Sequence, residues 1–207
     1  MRVAKELGDV ASVSFPRVAG PHEPIPAALE PLYAEYSGAY HFGGALLIRS
    51  PGLRAQPPLG LKEWNASTLW IEEFDQALVG AFFFAENALG EQFAVTRDGS
   101  ISLMDPETAE FEHVADSVGE WLRHLRAETE LFTYQELLER WELGHGKLVA
   151  GQRLVPRRPL LLGGELAPEN LIAKDDWYGL RLRAELWKLL CDVPDGTTVE
   201  FQIDESS

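Results

Sequence analysis

The stretch AFFFAENALGEQFAVTRDGSISLMDPETAEFEHVA, residues 81–115, leaves few folds open to this chain. AFFFAEN and EQFAVT are β-type runs joined at Ala88-Leu89-Gly90. An Asp98-Gly99 turn leads to SISLMD, and Asp105-Pro106-Glu107-Thr108 turns that run into EFEHVA. Short runs rich in strand formers, separated by residues that accept turn geometry, read as successive antiparallel hairpins. The spacing therefore predicts a four-strand meander at about 79–114. Phe93 with Val95, Ile101 with Leu103, and Phe111 with His113 are expected on one common face per strand. Side chains alternate along a strand, so the run Phe82-Phe83-Phe84 is a central strand buried on both faces. Phe82 or Phe83, with Phe93, Ile101 and Leu103, should be core.

Around the meander the signals alternate between helix and strand. Residues 1–24 read as an extended lead-in, because Pro16, Pro21 and Pro24 interrupt any regular pattern, and residues 25–207 read as a single domain. Ile25, Leu29, Leu32, Tyr33 and Tyr36 follow helical spacing with Pro31 in the first turn, and Gly38 stops that helix. FGGALLIRS (42–50) reads as a strand, and Trp64, Leu69, Trp70 and Phe74 as the apolar face of a helix. Ser117 and Thr133, each three residues before a glutamate (Glu120, Glu136), predict two capping boxes. PLLLGGELAPENLIAKD predicts two short strands about Gly163-Gly164. An amphipathic helix from about Asp176 to Cys191 follows, then an Asp195-Gly196 turn and a final strand, TTVEFQI. The class is α+β, a central antiparallel sheet packed against several helices.

Charge narrows the function. The chain carries 33 acidic and 18 basic residues, and residues 61–145 hold eighteen of the acidic and five of the basic ones. Such a surface repels phosphate backbones, so direct nucleic-acid binding is not expected, whereas a basic protein would be attracted. No stretch of about 18 apolar residues crosses a membrane and the first residues lack the apolar run of a signal peptide, which places the protein in the cytoplasm. Cys191 is the single cysteine and, within ELWKLLC, reads as a buried structural thiol.

Catalytic signatures are weak. Glu86 and Glu91 flank one hairpin and could work as acid and base in a hydrolase, but nothing that would orient a substrate accompanies them. His22, His41, His113, His124 and His145 have no metal-ligand spacing, the glycine pairs at 43–44 and 163–164 lack a phosphate-binding pattern, and Ser50, Ser67 and Ser100 lack a nucleophile-elbow context. No catalytic residue, metal or organic cofactor is expected.

Three phrases, taken in order, resemble the SUKH (Smi/Knr-like) superfamily: IPAALEPLYAEYSGAYHFGG, FFFAENALGEQFAVTRDGSISLMDPETAEFEHVADSVGEWL, and LLLGGELAPENLIAKDDWYGLRLRAELWKLLCDVPDGTTVEFQI. The resemblance spans roughly residues 25–204, and the last phrase is also similar to immunity modules of type VI secretion. AFFFAEN departs from it, since members often carry a more polar pair before the glycine. The resemblance implies a non-catalytic immunity protein that binds and blocks a cognate toxin, often a nuclease, in interbacterial competition. A scaffold module with another partner is the alternative. An acidic inhibitor can occupy a nuclease's basic groove as a phosphate mimic. The candidate toxin-binding residues are therefore Glu72, Glu73, Asp75, Glu86, Glu91, Glu107, Glu110 and Glu112, with Trp64, Trp70 and Leu89 as apolar anchors.

Overall fold

The structure, a computed structural model, describes residues 11–14, 25–34, 36–52, 57–194 and 197. Most of the proline-marked lead-in, the Asp195-Gly196 turn and the final strand lie outside the described residues. Seven strands form one antiparallel sheet in chain order: β1 (Ala11–Ser14), β2 (Ala39–His41), β3 (Leu46–Ile48), β4 (Phe82–Asn87), β5 (Gln92–Val95), β6 (Ile101–Met104) and β7 (Phe111–Ala115). The expected meander is β4 to β7, and it extends through β3 and β2 to β1, which falls inside the predicted lead-in. FGGALLIRS divides: Phe42–Gly44 is a 3-10 turn between β2 and β3, with Gly43 at φ 67°. Gly38 sits at φ 84°, and a Cβ there would lie 2.7 Å from the Ile48 carbonyl oxygen. Gly38→Ala therefore meets both a disfavoured backbone and a backbone clash, and should lower stability by about 1–3 kcal/mol in urea unfolding.

The sheet separates two apolar layers. On one face Leu46, Ile48, Phe84, Phe93, Val95, Ile101 and Val114 pack with α1 (Glu30–Tyr33) and with three later helices. On the other, Phe83, Ala94 and Met104 pack under a segment holding α2 (Leu61–Trp64) and the 3-10 turn Ile71–Phe74. Trp64, Trp70 and Phe74 do form one apolar cluster, but from two short pieces and turns rather than one helix. The phenylalanine run alternates as the pleat requires: Phe83 meets Trp70 at 4.8 Å between ring centroids, and Phe84 meets Trp121 at 5.0 Å. A register shift between Ile101 and Ser102 changes the phase of β7. The consecutive Val114 and Ala115 thus both join the helix-side core, while Phe111 and His113 share the other face, opposite Met104 and Ser102, where Phe111 packs against the second layer and His113 is exposed.

The helices of the first face are α3 (Val118–Ala127), α4 (Thr129–Thr133) and α5 (Gln135–His145). Ser117 caps α3 by accepting from the Glu120 N–H at 3.3 Å, and the Glu120 carboxylate accepts from the Asp116 N–H at 3.0 Å. The second predicted box does not form. Thr133 is buried in α4 and donates to the Thr129 carbonyl, and Tyr134, at φ 56°, separates α4 from α5. The Glu136 N–H is taken by the side chain of Glu130. A two-stranded sheet, β8 (Gln152–Pro156) with β9 (Leu171–Asp175), sends Leu154 and Leu171 into the first layer's core and Arg153 to Glu86, while α6 (Asp176–Leu190) covers the second face. Residues 160–170 are two 3-10 turns rather than strands about Gly163-Gly164. Cys191 is exposed rather than buried: it lies one residue beyond the end of α6, past the last turn that packs against the protein. Among the described residues no helix is long and apolar enough to cross a membrane.

Candidate functional site

Glu86 stands on β4 directly opposite Gln92 of β5 and Leu47 of β3, on the sheet face covered by β8 and α6. That position would strand a carboxylate in the interior, and a polar network surrounds it. Arg49 Nη2 lies 2.9 Å from Glu86 Oε2 and 3.0 Å from Asp176 Oδ2, and Arg153 Nε lies 3.0 Å from Glu86 Oε1. The Arg153 contact is an ion pair by distance without hydrogen-bond alignment. Gln92 donates to Glu86 Oε2 at 2.9 Å and accepts from Trp64 Nε1 at 3.0 Å. The Arg49 guanidinium stacks on the Trp64 ring at 3.2 Å. Burial alone would raise the Glu86 pKa, but the guanidiniums of Arg49 and Arg153 override it and hold the carboxyl below its ordinary value. Asp176, buried and sharing only Arg49, is shifted upward.

This network corrects part of the expected contact set. Glu86 and Trp64 are sealed inside it, and Trp70 is fully buried with its indole N–H donated to the Trp64 carbonyl. Leu89 is buried in the β4–β5 hairpin, where its carbonyl accepts from Arg183 at 2.7 Å. Glu107 turns inward, its two oxygens accepting from the N–H groups of Leu160 and Leu161 at 3.2 and 2.8 Å. Glu73 is half-buried and is held by Lys188 and Arg181, so its charge is already matched within the chain. Glu72, Asp75, Glu110 and Glu112 remain exposed.

Glu91 opens on a cleft of about 390 Å³ at the β7 end of the sheet. The β6–β7 turn builds one wall: Asp105 Oδ1 accepts from the Glu107 N–H at 2.7 Å, the Ala109 N–H donates to the Asp105 carbonyl at 2.8 Å, and Ala109 takes φ 59°. Asp105, Glu110 and Glu112 line that side, and the α4–α5 junction supplies Leu131, Phe132 and Tyr134 opposite. The left-handed backbone of Tyr134 brings its hydroxyl to Glu91 Oε1 at 3.1 Å, and Asn87 Nδ2 donates to Oε2 at 2.7 Å. Both are neutral donors. Burial raises the Glu91 pKa, and the nearby Asp105 adds to the shift.

The two glutamates of the conceivable acid–base pair are thus separated, Glu86 locked between arginines and Glu91 facing the cleft. Among the described residues no three His, Cys, Asp or Glu side chains cluster as a metal site would require. Asp105, Phe132 and Tyr134 were not singled out in the sequence. Asp105 carried a signal, ending a strand before a proline turn, but no local pattern places Tyr134 against Glu91, 43 residues away.

No protein-family model matches this sequence, and no curated protein does. Among solved structures, the fold is similar to that of Atu4351 from Agrobacterium tumefaciens, at a TM-score of 0.53 and 16% identity, covering 78% of this chain and 76% of that one. At that identity the likeness shows the fold alone, and the fold is α+β.

Proposed function

We propose that this chain is a non-catalytic binding protein that docks a basic protein partner, and that the partner is a cognate bacterial toxin which it neutralises. The observation carrying the proposal is the placement of charge. Of the eighteen acidic residues in 61–145, Glu86 and Glu107 are buried, six are half-buried and ten are exposed. The acidity seen in the sequence is therefore a property of the surface, and it projects a field toward a basic partner. The ordered resemblance to SUKH immunity proteins supports the toxin as that partner. A nuclease is the preferred class, because its phosphate-binding groove must be basic and a carboxylate surface can fill it.

The test has two parts. Coexpression with the basic C-terminal domain of a toxin encoded beside this gene should restore growth that the domain alone abolishes. The association rate of the purified pair should then fall about tenfold or more between low and high salt, and fall again for Glu72→Lys and Glu112→Lys. Unrestored growth rejects the toxin reading and leaves a module for another basic partner. Restored growth with on-rates indifferent to salt and to both reversals would reject the role given to the acidic surface.

A further inference from the structure

The cleft beside Glu91 has a composition that a solvated acidic surface does not need. The sheet contributes the apolar side chains of Leu103 and Val114 to its floor, and the half-buried rings of Phe132 and Tyr134 form its far side. Leu131 stays 60% exposed at the rim, where an unoccupied apolar side chain gains nothing from water. Four carboxylates line this space, from Glu91, Asp105, Glu110 and Glu112, together with His113, and among the described residues Lys and Arg are absent from its lining. The carboxylate of Glu91, the deepest of them, accepts from the neutral groups of Asn87 and Tyr134, and the buried Arg183 acts on it through charge without a hydrogen bond. Among the described residues no cation is bonded directly to it.

We infer that this cleft is the receiving pocket for one arginine side chain of the protein partner, stacked against the Phe132 and Tyr134 rings and paired with the surrounding carboxylates. Arginine fits better than lysine. A guanidinium is planar, stacks on aromatic faces and forks two N–H groups toward one carboxylate, whereas an ammonium is a strongly hydrated point charge that loses more on entering an apolar-floored cleft. A volume of about 390 Å³ admits one such side chain with part of its backbone rather than a folded segment. The inference rests on the proposed docking of a basic protein and names the side chain that the cleft would take.

A small probe separates this inference from the function. Argininamide titrated into the ¹⁵N-labelled protein should move the amides of Glu91, Leu103, Asp105 and Tyr134 saturably, with Kd on the order of 1 mM, as expected for a ligand of this size. Citrullinamide, the neutral isostere, should bind at least about tenfold more weakly, and lysinamide also more weakly. Glu110→Gln and Glu112→Gln alter exposed side chains and should retain the fold while weakening argininamide severalfold. Shifts spread over the whole acidic surface, equal binding of citrullinamide, tighter binding of lysinamide, or no saturable response would each overturn the inference. Growth protection by the intact protein is scored separately, so protection without argininamide binding rejects the pocket and keeps the function.

Discussion

Glu86→Ala should destabilise the protein by about 3–5 kcal/mol in urea unfolding, the range for removing one partner of a buried ion pair and leaving the other charge uncompensated. Arg153 would be stranded and Arg49 left with Asp176 alone, since both guanidiniums direct their charge at this carboxylate and both are buried. Of a total stability typically 5–15 kcal/mol, that loss is large enough to leave a substantial unfolded fraction at moderate temperature. Replacing Arg49 and Glu86 together by Met and Leu should cost less than the sum of the single changes, because the Arg49–Glu86 attraction is lost in each single change but only once in the double one, although Arg153 and Asp176 still lose their partners.

The pH dependence has a definite sign. A carboxyl whose native pKa lies below its unfolded value contributes stability that is complete above the unfolded pKa and is lost as pH falls through the native one. Glu86 is such a group, held low by the two arginines against the opposing effect of burial. The stability gap between the parent protein and Glu86→Gln should therefore hold from neutrality down to the ordinary carboxyl pKa of the unfolded chain, then narrow progressively until pH has dropped through the depressed native pKa of Glu86. Asp176 and Glu91 are shifted upward, so their contributions run the other way, present at low pH and lost as pH rises through their native values. A gap that narrows already between pH 7 and 5 would contradict the assignment of Glu86 as the ionised member of the network.

Phe93→Ala should cost about 3–5 kcal/mol, the usual range for emptying a fully buried phenylalanine site. Phe93 on β5 has no exposed surface and meets Trp121 of α3 edge-on at 5.3 Å and Phe132 of α4 at 6.5 Å between centroids. Truncation removes the side chain through which the sheet holds two helices, and rigid neighbours in helices and strands cannot collapse far into the hole. Because Phe132 also forms a wall of the cleft, the same variant should weaken argininamide binding. A loss below about 1 kcal/mol would mean that this layer repacks freely, contrary to the interlocked rings.

The sequence by itself determined the meander. Hairpin turns at Ala88-Leu89-Gly90, Asp98-Gly99 and Asp105-Pro106 are local chemistry, alternation fixes which residues can share a face, and Ser117 with Glu120 sets a helix start within four residues. These signals act over a few residues, so they survive without knowledge of the rest of the chain. Other features depended on distant partners. The strand at Gln152–Pro156 pairs across a 3-10 loop with Leu171–Asp175, and the helix at Asp176–Leu190 lies over a sheet that ends at Ala115, far earlier in the chain. The fate of each carboxylate was decided in the same way. Glu86 and Glu112 both stand on strands of one sheet, yet Glu86 is buried because Arg49, Arg153 and Asp176 converge on its face, while Glu112 is exposed among the described residues. A charged side chain is tolerated inside only where countercharges arrive from elsewhere in the chain, and residue type together with strand period carries no record of that arrival.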